Sequence, residues 1–114
     1  MELPTLKTKQ INFALLGLGK LGSGFYKVYM KKKSQIEKET GLRLNLTHIL
    51  VKNSRFQRPS FVDKTLITTD FNSILNDDTL NIAIDAIGGI EPTYSMIRQL
   101  VERGINIVSA NRTM

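Results

Sequence analysis

The sequence predicts an α/β domain built as a doubly wound parallel sheet, with helices on both faces and strand order 3-2-1-4-5. Two observations carry that expectation. Apolar runs of strand length alternate with amphipathic helical patterns along the chain, which implies parallel strands joined by right-handed crossovers. The first apolar run also ends in Gly17-x-Gly19-x-x-Gly22, and a helical pattern opens at once. The 114 residues suffice for a single domain with a sizeable core.

Residues 1–9 read as a polar, frayed leader, and the domain itself as residues 10–114. The first strand is expected at about Ile11–Leu16, a continuous apolar run of the kind that both faces of a parallel sheet bury. The first helix is expected over Lys20–Thr40, with Gly41 as the residue that closes it. Its apolar face is read as Leu21, Phe25, Val28, Tyr29 and Ile36, with Lys27, Lys31, Lys33 and Lys38 elsewhere. The second strand falls within Leu42–Val51. There Leu42, Leu44 and Leu46 alternate with Arg43, Asn45 and Thr47, the pattern of a strand near an edge with one wetter face. Residues 52–64 are polar, contain Pro59 and read as a long loop.

A short strand follows at Leu66–Thr68, and Asp70 has the chemistry to cap a short helix over Phe71–Asn76. Asn81–Ile87 is a second buried strand that runs into Gly88-Gly89. Pro92 suits the first position of the next helix, whose apolar face is read as Tyr94, Ile97, Leu100 and Val101. Gly104 ends that helix, and Ile105–Ser109 is the last strand.

Composition excludes several function classes. Residues 1–64 hold thirteen Lys and Arg against four Asp and Glu, whereas residues 65–114 hold three against six. That basic half lacks the interleaved aromatic residues of a nucleic-acid platform, so its cations read as a solvated helix face and as partners of an anionic cofactor. No cysteine is present, which removes disulfide and thiolate chemistry and fits a reducing cytoplasm. One histidine, His48, sits inside the second strand and leaves no metal cluster. Asp77-Asp78 reads as a helix-end turn rather than an acid–base pair. The apolar run after the leader is short and broken by glycines, so it neither spans a membrane nor directs secretion.

The chemistry is expected at the carboxyl ends of the strands, where such sheets bind ligands. The glycine run is the strand–turn–helix fingerprint of Rossmann-type dinucleotide binding. Gly17 allows the sharp turn, Gly19 lets backbone approach a pyrophosphate, and Gly22 lets helix and strand pack closely. The free N–H groups and dipole of the helix start favour the anion. At the end of the second strand, Lys52-Asn53-Ser54-Arg55 lacks the acidic residue usual for NAD. Lys52 and Arg55 either meet the 2′-phosphate of NADP or are solvated loop cations. After the fourth strand, Ala86–Pro92 either approaches the nicotinamide half or is an ordinary turn. Asp85, in that apolar strand, either bonds loop backbone near the crevice or lies half-exposed at the strand end.

Taken together, LLGLGxxGSG near the start, Ile87–Pro92 as IGGIEP, and a last apolar strand running into Ser109-Ala110-Asn111-Arg112 resemble homoserine dehydrogenase, across roughly residues 11–112. The resemblance implies interconversion of homoserine and aspartate semialdehyde with NADP or NAD, on the route to threonine and methionine. It implies that Gly17, Leu18, Gly19, Lys20, Leu21 and Gly22 hold the pyrophosphate. Lys52, Asn53 and Arg55 would flank the adenosine ribose, and Ile87, Gly88, Gly89 and Glu91 the ribose and nicotinamide. Ser109, Ala110 and Asn111 would close over the ring.

Two departures from the family stand out. Arg112 occupies the place of a family lysine that reaches the reacting oxygen, and arginine cannot exchange a proton near neutral pH. The family also continues past the equivalent of Met114 into a catalytic and dimerisation domain. The expectation is therefore a cofactor domain, inactive alone, that meets a small amino-acid substrate only with that further domain, in a full-length protein that is a homo-oligomer. The alternative is a stand-alone dinucleotide-binding or regulatory module.

Overall fold

The computed structural model describes residues 9–52, 61–87 and 93–109. They form five strands, β1 (Lys9–Leu16), β2 (Leu42–Leu50), β3 (Ile67–Thr68), β4 (Ile82–Asp85) and β5 (Asn106–Ser109), and three helices, α1 (Lys20–Thr40), α2 (Phe71–Leu75) and α3 (Thr93–Glu102). All strand pairs are parallel, in the order β3-β2-β1-β4-β5. This is the expected Rossmann-type sheet.

Each face of the sheet buries its own core. On one side Phe13, Leu15, Leu46, Ile49 and Ile84 pack with Tyr26 and Tyr29 of α1. On the other, Ala14, Leu16, Leu50 and Ala83 pack with Ile74 of α2 and Leu100 of α3. The alternation along β1 supplies both sides at once, which is why the run Phe13–Leu16 is apolar without a break.

α1 has the expected limits. Gly41 ends it in the left-handed conformation and donates its N–H to the Glu37 carbonyl at 2.9 Å. Its inner face differs from the expected one. Gly22, Tyr26 and Tyr29 are buried with Phe25 packed beside them, while Leu21, Val28 and Ile36 are exposed. Gly22 sets this phase. A Cβ there would overlap the Gly17 carbonyl, so Gly22 must face the strand turn, and residues three, four and seven positions on face inward with it. The two buried tyrosines keep partners for their hydroxyls. Tyr26 Oη accepts from the Asp63 N–H at 3.1 Å, and Tyr29 Oη accepts from the Leu46 N–H at 3.3 Å.

β2 explains its own alternation. The two-residue β3 pairs only with Ile49 and Leu50, so among the described residues no strand lies on the outer side of residues 42–48. A bulge at Thr47 shifts the register between Phe13–Leu46 and Ala14–His48, and the Thr47 hydroxyl donates to the Phe13 carbonyl at 3.3 Å. The bulge turns Ile49 instead of His48 toward α1.

Some boundaries move. Leu66 belongs to a 3₁₀ turn, Lys64–Leu66, because the Asp63 carboxylate accepts from the Thr65 N–H at 3.0 Å and caps it. β1 starts earlier than expected, at Lys9, and β4 stops at Asp85. Asp70 caps α2 as expected, accepting from the Asn72 N–H at 3.0 Å, and the helix ends at Leu75. On α3, Leu100 is buried and Met96 packs with it, whereas Tyr94 and Val101 are exposed. The end of α3 fixes its roll. Gly104 donates to the Val101 carbonyl and Ile105 to the Leu100 carbonyl, at 2.9 and 3.0 Å, a Schellman closure that delivers Ile105 into the core beside Leu100. Pro92 lies outside the described residues.

Candidate functional site

The carboxyl ends of β1, β2 and β4 are tied together by backbone. The Gly17 N–H donates to the Leu50 carbonyl at 2.8 Å, and the Ala86 N–H donates to the Leu16 carbonyl at 2.9 Å. The turn out of β1 therefore sits between the ends of its two neighbours. Gly17 has φ of +106°, and a Cβ on it would come within 3.0 Å of both the Ala86 carbonyl oxygen and Ile87 Cγ1. Glycine is required there on two grounds, conformation and space.

α1 begins directly after this turn. Its first intrahelical acceptor is the Gly19 carbonyl, which takes the Ser23 N–H at 2.8 Å. The N–H groups of Lys20, Leu21 and Gly22 bond to no described residue, and Gly19 offers no side chain to cap them. A Cβ on Gly19 would meet nothing within 4 Å. Backbone donors, the positive end of a 21-residue helix and open space thus coincide. Chemically such an arrangement can accept a phosphate group. The Ser23 hydroxyl donates to the Leu18 carbonyl at 3.1 Å and steadies the loop from within the helix. That contact was not anticipated, although a serine one turn into such a helix is visible in the sequence.

The remaining candidates divide by position. Leu18 is buried beneath the turn, while Lys20 and Leu21 are exposed on the first turn of α1. Lys52 is exposed one residue past Val51, whose N–H donates to the Thr68 carbonyl at 2.9 Å and fixes the end of β2. Ile87 is exposed beside Gly17. Ser109 ends β5 in register with Asp85. These residues lie at the carboxyl edge of one sheet. Asn53, Arg55, Gly88, Gly89, Glu91, Ala110, Asn111 and Arg112 lie outside the described residues.

Asp85 takes the first of its two expected forms. It is fully buried, and its Oδ1 accepts from the Ile87 N–H at 3.2 Å, holding the chain as it leaves β4. His48 has a structural partner, with Nε2 2.9 Å from Asp77 Oδ2.

The profile of the family described as "Homoserine dehydrogenase, NAD binding domain" matches residues 17–114. The chain belongs to this family. Among curated relatives, homoserine dehydrogenase of Methylobacillus glycogenes is 28% identical over 106 residues, covering 93% of this chain and 26% of the relative. That of Bacillus subtilis is 27% identical over 106 residues, covering 93% of the chain and 24% of the relative. Among solved structures, Staphylococcus aureus homoserine dehydrogenase superposes with a TM-score of 0.87 at 36% identity, covering 94% of this chain and 27% of that one. The chain thus spans about a quarter of the length of the relatives it matches. It corresponds to their N-terminal NAD(P)-binding domain, and its oxidoreductase-type nucleotide-binding fold agrees with that assignment. Among the described residues, no helix is long and apolar enough to cross a membrane.

Proposed function

We propose that the chain binds NADP, in preference to NAD, as the cofactor domain of an oxidoreductase that interconverts homoserine and aspartate semialdehyde. The observation that carries this reading is the start of α1, where the N–H groups of Lys20, Leu21 and Gly22 bond to no described residue and a Cβ on the adjoining Gly19 would meet nothing within 4 Å. In this reading Gly17, Leu18, Gly19, Lys20, Leu21 and Gly22 hold the pyrophosphate. Lys52, with Asn53 and Arg55, meets the 2′-phosphate. Ile87, Gly88, Gly89 and Glu91 border the nicotinamide ribose, and Ser109, Ala110 and Asn111 cover the ring.

The bound nicotinamide supplies hydride exchange. Residues 10–114 supply only one wall of the reaction site. The substrate has to be oriented by groups on the far side of the ring, and in the family these lie in a further domain. Arg112 stands at the junction in place of the family lysine and supplies charge and hydrogen bonds without proton exchange.

Titration of the 114-residue chain with NADPH and NADH tests the reading. Charge-assisted bonds to the 2′-phosphate are expected to favour NADPH by roughly tenfold at low salt, and Lys52→Ala to erode that margin. Failure to bind either dinucleotide refutes the assignment, and equal affinity refutes the NADP preference. The chain alone is expected not to reduce NADP⁺ with homoserine. Turnover by the 114 residues would show that no second domain is needed.

A further inference from the structure

Asp85 is more than a strand-end turn former. It is the last residue of β4, in register with Leu16 of β1 and Ser109 of β5, so it stands one residue from the glycine turn. Its side chain alternates with those of Ile84 and Ala86 and shares a side with Ala83, in an otherwise apolar layer. It is the one buried charged residue among those described, with no exposed surface. No Lys or Arg of the described residues pairs with it. Oδ1 accepts the Ile87 N–H, but Oδ2 is buried and has no hydrogen-bond partner among the described residues.

Burying a carboxylate oxygen without a partner opposes folding, and an apolar or amide residue would fit β4 at less expense. Unsatisfied buried groups are rare in native proteins, and functional sites are where such local rules are broken. Simple electrostatics would also disfavour a carboxylate close to the pyrophosphate cradle. Its presence there calls for a specific bond that outweighs the repulsion.

We propose that Asp85 is a positioning residue for the nicotinamide half of the dinucleotide. Oδ1 fixes the exit of β4 through Ile87, and Oδ2 accepts a hydrogen bond that forms only when the whole dinucleotide is seated. This deepens the dinucleotide reading and rests on it. The probes are NADPH and adenosine 2′,5′-bisphosphate, which shares the adenosine end and lacks the nicotinamide half.

Asp85→Asn retains an acceptor for the Ile87 N–H and replaces the second oxygen with a donor. The variant is expected to melt at or above the wild-type temperature without ligand. It is expected to bind NADPH at least roughly fivefold more weakly and the bisphosphate unchanged. In the wild-type chain with ¹³C-labelled aspartate, the Asp85 carboxyl resonance is expected to move on adding NADPH and to stay in place with the bisphosphate. That measurement does not depend on the variant folding. Unchanged or tighter NADPH binding by Asp85→Asn overturns the proposal, as does parallel loss of stability and of affinity for both probes. A carboxyl resonance that ignores NADPH, or that responds equally to both probes, also overturns it. Failure of the wild-type chain to bind NADPH would instead refute the dinucleotide reading itself.

Discussion

The two ends of the sheet treat their polar groups in opposite ways. At the amino end they close on one another. Asn12 donates to the Thr79 carbonyl at 2.9 Å, receives Asn45 Nδ2 at 3.1 Å, and donates its backbone N–H to Asn81 Oδ1 at 2.8 Å. Asp77 takes both the N–H and the hydroxyl of Thr79, at 2.9 and 2.6 Å, and also faces His48. At the carboxyl end, among the described residues, some polar groups stay open. Three N–H groups at the start of α1, and one buried oxygen of Asp85, have no hydrogen-bond partner among the described residues. Both ends must reverse the chain, and short side-chain bonds suffice to do it at the first. Leaving donors and acceptors unmet at the second opposes folding and makes sense where a ligand meets them. The contrast supports the proposed binding edge on geometry alone.

The largest effect is expected from a change that removes the shape of the open end. Gly22→Ala puts a methyl group onto the Gly17 carbonyl, and the obstacle is backbone rather than a flexible side chain. Helix and turn must separate, at a cost of about 3 kcal/mol or more. For a domain of this size that is a fall in melting temperature of roughly 10 °C or beyond, with ligand binding lost as well. Thermal denaturation of the purified chain checks it. A variant as stable as wild type would show that the contact is not what sets the phase of α1.

Gly19→Val sharpens the comparison by separating fold from function. Gly19 has φ of −76°, which any residue can adopt, and a Cβ there meets nothing within 4 Å. The fold is expected to change by less than about 1 kcal/mol. The branched side chain, however, occupies the space in front of the helix N–H groups, so dinucleotide affinity is expected to fall at least roughly a hundredfold, about 2.7 kcal/mol. Melting and titration on the same sample check both halves. A stable Gly19→Val chain that still binds NADPH tightly would remove the cradle from the site.

What the sequence disclosed follows the same division. Steric demands are written in glycines, so the turn, the limits of α1 and its closing residue could all be read directly. The roll of α1 could not. It depends on which glycine touches backbone, and Leu21 and Val28 look as apolar on the page as Tyr26 and Tyr29. Similarly, Tyr94 and Val101 share helical spacing with Leu100, and only the Schellman closure at Gly104 decides which of them faces the sheet. Capping by Asp70 was legible because the acceptor and donor are two residues apart. The same pattern at Asp63-x-Thr65 marks the 3₁₀ turn and was available in the sequence, but the apolar Leu66 drew the reading toward a strand. Asp85 was noticeable as a charge in an apolar run. Its complete burial depends on neighbours from two other strands, which no local pattern records.

The smallest expected effect tests the closed end. The Asp77 carboxylate is held below its ordinary range, chiefly by the Thr79 hydroxyl, with His48 and the Thr79 N–H adding to the shift and burial opposing it. A depressed acid favours the fold wherever it is ionised. Its contribution is therefore complete above the ordinary aspartate value of about 4 and is lost as pH falls through the lower folded-state value. Asp77→Asn removes that dependence, because an amide does not titrate. The variant is expected to be less stable than wild type by roughly 1 kcal/mol at pH 6, through loss of charge-assisted bonds to Thr79 and His48. The two denaturation curves should converge as pH falls below the ordinary aspartate range and through that lower folded-state value. Dinucleotide affinity should not change, since Asp77 lies in the turn before β4, at the end of the sheet away from the cradle. Urea melts across that pH range, with a titration at neutral pH, check both parts. If Asp77→Asn weakens NADPH binding while the fold holds, the division of the sheet into a closed structural end and an open binding end fails.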